Sequence, residues 1–287
     1  MQQYNIGEWV DLEENPTHKT LREAIHTVLI AISTGKWPNH NMIIKGGVLL
    51  AIRYESIRFT EDIDFSTNIN LKDFDQDSFL LELEQNLASA VEKLDYGLDC
   101  KIQSYQLQPS NNPNATFPTF KIKIGYAYKH DTNAHKRLLK KQSLHIVKLD
   151  YSLNEETYDV EPLILTDGGT IYAYSIYDII AEKFRAILQQ KTRNRVRRQD
   201  SYDLYTLINN FPITTDEERK VILDTLLKKS ASRNLEISIA SISDPETIQR
   251  SEEQYHVLAS EIDGELPEFE TVYRFVKNFY ESLPWGK

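Results

Sequence analysis

Two aspartates spaced two residues apart are the part of this sequence best suited to chemistry. Asp62 and Asp64 lie in a short run, Asp62-Ile63-Asp64-Phe65, that is typical of a β-strand. Residues two apart on a strand point to the same face, so both carboxylates project together. Carboxylates side by side repel one another unless a cation lies between them, and Mg²⁺ binds one or two carboxylates together with substrate phosphates.

A glycine pair precedes these aspartates by fourteen residues, in Lys45-Gly46-Gly47. The pair stands between a predicted strand at 42–45 and a predicted apolar helix at 48–57. Glycines that open a helix offer backbone N–H groups at the positive end of the helix dipole, which suits a phosphate. The order of these features predicts a combined phosphate and metal site. The alternative is a glycine turn beside a surface strand with two solvated acids.

A third carboxylate, Asp150, could complete a two-metal site. On a predicted strand at 144–153, alternation puts Lys148 and Asp150 on the same face. If this strand neighbours that of Asp62 and Asp64, Asp150 could act as general base toward an acceptor hydroxyl. A solvent-facing acid at a strand end is the alternative.

A lysine on the apolar side of a predicted helix is a further candidate. Lys183 falls near the middle of the apolar arc of the helix at 175–190. An ammonium group cannot be buried unpaired without a large cost, so it reaches either a triphosphate or solvent. Asp200 and Asp203 share one side of the next helix, and Asp200 needs a nearby cation, either Lys183 or an arginine. The alternative is that both acids only complement the helix dipole.

Basic residues are concentrated in two places, although the formal net charge of the 287-residue chain is −10. That charge argues against a nucleic-acid coat protein. However, seven basic residues and no acidic one lie between Lys183 and Arg198, and a second cluster runs from His135 to Lys141. Such patches can bind a polyanion locally, because fields are screened within about 8 Å. A solvated loop is the alternative for Lys191–Arg198.

The elements that must position these residues predict an α+β fold. Strands are predicted at 42–45, 62–66, 98–107, 117–128, 144–153 and 170–173. Helices are predicted at 17–33, 48–57, 77–94, 175–190, 199–209, 217–229, 246–262 and 269–283. Strands mixed with helices, followed by helices alone, indicate a mixed-sheet catalytic domain at 1–168 and a helical domain at 169–287.

Composition excludes several other classes of protein. The single cysteine, Cys100, excludes a disulfide within the chain and a cysteine-based zinc site. No stretch approaches the roughly 18–20 apolar residues of a membrane span, and the N-terminus lacks the pattern of a secretion signal. We therefore expect a cytoplasmic protein without membrane contact.

The motifs resemble those of the AbiEii-type nucleotidyltransferase toxins of type IV toxin–antitoxin systems. The resemblance rests on four segments, Lys45-Gly46-Gly47, Arg58-Phe59-Thr60-Glu61-Asp62-Ile63-Asp64-Phe65, Glu182-Lys183-Phe184-Arg185-Ala186 and Arg198-Gln199-Asp200-Ser201-Tyr202-Asp203-Leu204. They follow one another in the family's order. In the family's usual last motif a basic pair directly precedes the acid, whereas here Gln199 separates Arg198 from Asp200.

This resemblance implies a DNA polymerase β-like nucleotidyltransferase fold whose appended helical domain completes the nucleotide site. It implies that Asp62 and Asp64 ligate Mg²⁺, that Lys183 contacts the nucleotide phosphates, and that Asp200 is required for activity. Family members are encoded beside an antitoxin, and some transfer nucleotides to the acceptor end of tRNA.

We therefore expect a magnesium-dependent enzyme that moves a nucleoside monophosphate from a nucleoside triphosphate to RNA, with the tRNA 3′ acceptor end favoured, and so blocks translation. A cognate antitoxin encoded nearby is the expected protein partner. The expected catalytic residues are Asp62, Asp64, Asp150, Lys183 and Asp200, of which the first three bind metal. The expected substrate-binding residues are Gly46, Gly47, Arg58, Arg185, Arg197, Arg198 and Asp203. Arg193 and Arg195 would complete a phosphate-binding stripe with Arg185, Arg197 and Arg198.

Two other functions fit the same motifs. Transfer to a protein or a small molecule is one, since aminoglycoside-modifying enzymes share the Gly-Gly and Asp-x-Asp arrangement. Their cationic substrates need acidic clefts, and the basic run from Lys183 to Arg198 points the other way. A catalytically inert nucleotide-binding module that sequesters a partner is the other. Intact Asp62, Asp64 and Lys183 argue against it, because an inert module need not keep three costly charges.

Overall fold

The computed structural model describes residues 2–36, 41–110 and 115–286, which fall into two compact units. The first unit comprises Met1–Arg53 and Glu61–Ala173, and the second comprises Tyr54–Thr60 and Tyr174–Lys287. The sequence-based boundary lies at 168 and 169, slightly before the point where the structure divides. The short segment Tyr54–Thr60 was not expected in the second unit.

The first unit is built on a mixed β-sheet. Its strands are β1 (Gln3–Tyr4), β2 (Ile43–Lys45), β3 (Asp62–Ser66), β4 (Leu98–Gln108), β5 (Thr119–Tyr128), β6 (Ile146–Ser152), β7 (Val160–Leu165) and β8 (Thr170–Tyr174). Within the described residues they form one sheet in the order β1-β7-β8-β2-β3-β6-β5-β4. Its helices are α1 (Ile6–Asp11), α2 (Pro16–Thr34), α3 (Gly46–Tyr54), α4 (Gln76–Lys93) and α5 (Thr132–Leu139).

Aromatic side chains form the core between helix α4 and the sheet. Phe79 of α4 stacks on Tyr151 of β6 with ring centroids 5.7 Å apart, and it meets Phe120 of β5 edge to face at 6.1 Å. All three side chains are fully buried. Large aromatic rings contribute much of the apolar area of a core. One face of β5 and β6 is therefore packed against α4, which leaves their other face for polar side chains.

The second unit is helical. Its helices are α6 (Ile176–Leu188), α7 (Gln190–Arg193), α8 (Arg198–Asn210), α9 (Asp216–Ala231), α10 (Pro245–Glu252) and α11 (Phe269–Glu281). Helix α6 packs against α8 and α9, and α8 packs against α11. Phe184 of α6 lies against Tyr280 at a centroid distance of 5.2 Å. The predicted α+β class, a mixed sheet followed by helices, is confirmed.

Local backbone geometry explains where the predicted elements were wrong. The helix predicted at 48–57 begins at Gly46 and ends at Tyr54, because Glu55 adopts a left-handed conformation with φ of 53°. The helix predicted at 246–262 stops at Glu252, since Gln254 has φ of 60° and a 3₁₀ turn follows. Left-handed residues do not continue a right-handed helix.

The described helices are all too short or too polar to cross a membrane.

Candidate functional site

Four charged residues form one row across the central strands of the sheet in the first unit. Lys45 of β2 pairs with Asp64 of β3, Asp64 pairs with Asp150 of β6, and Asp150 pairs with Lys121 of β5. Residues paired in register lie on the same face, with neighbouring strands about 4.8 Å apart. The structure therefore places Asp150 on the strand next to that of Asp62 and Asp64, as a third carboxylate of the site requires.

The carboxylates of Asp62 and Asp150 each lie next to a lysine side chain. Lys148 lies opposite Asp62 in the register, and its Nζ is 3.3 Å from Asp62 Oδ1. Lys121 Nζ is 2.8 Å from Asp150 Oδ2. The attraction of Asp62 raises the pKa of Lys148. Lys148 and Asp62 are half exposed, and Lys121 and Asp150 are partly exposed, so each pair contributes little to stability.

Gly46 approaches the Asp64 carboxylate so closely that no other residue fits there. It has φ of +75°, and a Cβ atom on it would lie 2.2 Å from Asp64 Oδ2. Gly46 and Gly47 are also the first two residues of α3. Helix α3 therefore begins directly against the Asp64 carboxylate. The missing Cβ keeps space beside an oxygen that could bind a cation.

Asp62 and Asp64 suit a magnesium ion that binds together with substrate phosphates. They are less suited to a magnesium ion whose ligands all come from the protein. In residues 2–36, 41–110 and 115–286, no three Asp, Glu, His or Cys side chains converge as a ready metal site. Instead, Asp150 lies next to Lys121, and Asp62 lies next to Lys148. Mg²⁺ uses one or two carboxylates and completes its coordination with phosphates and water, which Asp62 and Asp64 can satisfy.

Glu155 is a residue of this region that the sequence analysis missed. It is buried, and its Oε2 accepts a hydrogen bond from Lys45 Nζ. The backbone N–H of Glu155 also donates to the carbonyl oxygen of Thr67 at 2.8 Å. The hydrogen bond from Lys45 to Glu155 fixes the side chain of Lys45, the residue directly before the glycine pair. No periodic pattern marks Glu155, because it lies in the irregular segment between β6 and β7.

In the second unit, five side chains form a connected group, the ion cluster: Arg58, Lys183, Arg197, Asp200 and Asp203. Lys183 donates to Asp200 Oδ1 at 3.0 Å and to Asp203 Oδ2 at 2.7 Å. Arg58 binds both oxygens of Asp203, through Nε at 2.8 Å and an NH2 group at 3.0 Å. Arg197 Nε donates to Asp200 Oδ2 at 2.6 Å. The predicted pairing of Asp200 with a nearby cation is confirmed.

Mutual attraction keeps Asp203 and Lys183 charged although both are buried. Burial opposes ionisation of Asp203, but Arg58 and Lys183 outweigh it and lower its pKa to about 2. Burial likewise opposes the charge on Lys183, yet Asp203 and Asp200 raise its pKa. Three cations and two carboxylates leave one net positive charge. The cluster joins α6, α8 and the segment Tyr54–Thr60.

The arginines expected to form one phosphate-binding stripe are in different environments. Arg185 is buried and donates to Gln189 and Glu182 of its own helix. Arg198 donates to Glu261 Oε1 at 2.7 Å, and Arg197 belongs to the ion cluster. Because these three guanidinium groups already donate to acids and amides of the protein, they have fewer N–H groups to offer a phosphate than the sequence analysis expected.

Arg193 and Arg195 remain exposed. Partial burial, followed by repulsion from Arg233, Arg185 and Arg195, lowers the pKa of Arg193, so these like charges lie near one another. Of the expected stripe, Arg193 and Arg195 are therefore exposed, whereas Arg185 is buried.

Replacing Lys183 with methionine should destabilise the protein strongly. Asp200 and Asp203 would each lose a buried counter-ion, and breaking a buried pair on one side costs about 3–5 kcal/mol. Lys129→Met is the control, because it removes only an exposed pair with Glu92 and should cost about 1 kcal/mol or less. Urea unfolding followed by circular dichroism compares the two. Equal losses would show that the ion cluster does not hold the second unit together.

Acid should weaken the fold in a defined pH range. The folded-state pKa of Asp203 is about 2, against an ordinary value of 3.8, so its contribution is complete above about pH 4. That contribution is lost as the pH falls through 2, and it amounts to roughly 2 kcal/mol. The unfolding free energy, measured between pH 5 and pH 2, should fall in this range. Asp203→Asn should show a shallower fall, and an identical profile would contradict the assignment.

The family model described as nucleotidyl transferase AbiEii toxin, type IV TA system, matches residues 37–275. A comparison with curated proteins found no match.

Three solved structures align along most of their length. A candidate nucleotidyltransferase from H. pylori is 15% identical with a TM-score of 0.49, and the alignment covers 94% of this chain and 95% of that chain. JHP933 from Helicobacter pylori is 12% identical with a TM-score of 0.47, and 94% and 93% are covered. The nucleotidyltransferase toxin MenT4 from Mycobacterium tuberculosis is 12% identical with a TM-score of 0.48, and 97% of each chain is covered.

The matched family region contains Asp62, Asp64 and all five residues of the ion cluster. Because that region is most of the sequence, this chain belongs to the AbiEii nucleotidyltransferase toxin family of type IV toxin–antitoxin systems.

Proposed function

We propose that the protein transfers a nucleoside monophosphate from a nucleoside triphosphate to a hydroxyl group of RNA, with the tRNA 3′ acceptor end favoured, and so blocks translation in the cytoplasm. The observation that carries the proposal is the register of Asp64 with Asp150, together with the approach of Gly46 to Asp64. Family membership supports nucleotidyl transfer, and the local basic clusters support a polyanionic acceptor.

Asp62 and Asp64 would hold Mg²⁺ with the triphosphate, and the bound ion would neutralise phosphate charge. Gly46 and Gly47 bind phosphate oxygens through their backbone N–H groups at the start of α3. The acceptor oxygen attacks the α-phosphorus, the bond from that phosphorus to pyrophosphate breaks, and Asp150 accepts the hydroxyl proton. Lys121, whose Nζ lies 2.8 Å from Asp150 Oδ2, is the cation next to this carboxylate.

For the ion cluster we assign Lys183 to binding of the nucleotide phosphates. Its two carboxylate partners keep the ammonium charged and fix its position, and the cluster retains one net positive charge. Asp200 and Asp203 are therefore positioning residues for Lys183, and Arg58 holds Asp203. A cognate antitoxin is the protein partner that membership of a type IV family supports.

Label transfer tests the reaction. The wild-type protein, incubated with Mg²⁺, pooled tRNA and each α-labelled nucleoside triphosphate in turn, should label tRNA from one of them. Asp64→Asn should reduce transfer about 100-fold or more, because a metal ligand supplies several kcal/mol of transition-state stabilisation. Asp95→Asn is the matched control, since Asp95 is an exposed aspartate of the same unit.

Full transfer by Asp64→Asn, with an unchanged circular dichroism spectrum, would remove the metal assignment. Label on protein or on a small molecule, with none on any RNA, would replace the proposed acceptor.

Gly46→Ala should abolish transfer nearly as completely as Asp64→Asn. The added Cβ would meet Asp64 Oδ2 at 2.2 Å, which forces either the carboxylate or the start of α3 to move. Gly97→Ala is the control, because Gly97 also has a positive φ, of +67°, but has no atom within 4 Å of an added Cβ. Transfer rates and thermal unfolding of both variants are measured together. Equal transfer rates in the two variants would show that Gly46 has no role in the reaction.

A further inference from the structure

A basic stretch of the first unit has no part in the proposed reaction. We call residues 132–144 the basic segment; it consists of α5 and the turn that follows. Its cations, all exposed, are Lys136, Arg137, Lys140 and Lys141. In the part of the chain that the structure describes, none of the four forms a salt bridge. Four unpaired cations within six residues repel one another, so the segment carries charge that no neighbouring acid compensates.

The lysine side chains of the basic segment face the solvent because the opposite side of α5 is packed against the protein. Leu138 is fully buried and anchors α5, while Lys136 and Lys140 are one turn apart on the opposite side of the helix. Between residues 132 and 149 the sequence has no acidic residue, although the chain as a whole carries a net charge of −10. This local excess of positive charge is therefore a feature of the segment and not of the protein's surface in general.

The basic segment lies on the sheet face that carries the carboxylates. Along β5, Lys121 and Gly125 are four positions apart and therefore share a face, which is also that of Asp150. A Cβ on Gly125 would lie 2.7 Å from Ser143 Cβ, so the turn of the segment covers Gly125 on that face.

A contact from the helix itself supports the same placement. His135 of α5 lies 2.8 Å from Asp99 Oδ2, measured from Nε2, and Asp99 is paired with Ala127. Ala127 shares the face of Gly125, since the two residues are two apart on β5. Gly125 lies four positions along β5 from Lys121, the residue opposite Asp150, and this offset spans about 13 Å.

We propose that the basic segment binds the phosphate backbone of the RNA acceptor on the sheet face that carries Asp62, Asp64 and Asp150. This inference rests on the proposed function for the identity of the acceptor, and it adds where the acceptor is held. Lysine-rich surfaces suit phosphates, whereas the cores of protein interfaces are depleted in lysine. The chemistry of the segment therefore favours RNA over an acidic protein.

A charge-matched pair of variants tests the surface. Lys136→Gln with Lys140→Gln removes two charges from the basic segment, and Lys220→Gln with Arg274→Gln removes two charges from exposed positions of the second unit. Fluorescence anisotropy with labelled pooled tRNA gives the Kd of each full-length protein at several salt concentrations.

The first variant should bind tRNA about tenfold more weakly, and its slope of log Kd against log salt should fall by about 2, one for each lost phosphate contact. The second variant should match the wild type within about twofold. In transfer assays, the KM for tRNA should rise in the first variant while the KM for the nucleotide stays unchanged.

The failure of this inference is distinguishable from failure of the reaction. Wild-type labelling of tRNA, with unchanged Kd and salt slope in Lys136→Gln/Lys140→Gln, would overturn the basic segment as the RNA surface and leave the reaction intact. Segment-dependent binding of tRNA without any labelling would support the surface and reject the transfer.

Discussion

Carboxylates at neighbouring positions repel one another, and both units of this protein meet that repulsion with lysine and arginine side chains. In the sheet, the register places Asp64 beside Asp150, and lysines stand at both ends of that row. In the helical unit, Asp200 and Asp203 share Lys183. In both units, the acidic candidate residues therefore lie beside lysine or arginine side chains.

The ion pairs on the sheet and those of the ion cluster differ in solvent exposure, and this difference determines how stable each set is. Lys148 and Asp62 are each about half exposed, with side-chain exposures of 51%, whereas Asp203 is 0% exposed. An exposed pair gains little net free energy and exchanges partners readily, while a buried pair broken on one side leaves an uncompensated charge. The pairs of Asp62 and Asp150 are therefore open to exchange with other cations, whereas the ion cluster holds Lys183 in a fixed position.

Local patterns predicted the residues whose neighbours lie close in sequence. The alternation around Asp62 predicted strand β3 with its observed bounds, and the position of Asp200 on its predicted helix indicated the nearby cation that Lys183 and Arg197 supply. Contacts between distant segments left no local signal. Arg58 and Asp203 are 145 residues apart, and Lys45 and Glu155 are 110 apart. Helix α5 was missed because Leu138 is its single buried residue, too few for a periodic pattern.

With RNA as the proposed acceptor, a protein of net charge −10 must overcome repulsion of its substrate. Screening limits that repulsion to about 8 Å at physiological ionic strength, so the charges nearest each phosphate decide whether it binds. On the carboxylate face, Lys121 and Lys148 are balanced by Asp150 and Asp62 and offer no net attraction. The basic segment is not balanced, and it lies on the same face. An RNA strand would therefore be attracted at the basic segment and would meet a nearly neutral surface at the carboxylates, where only its reacting end is needed.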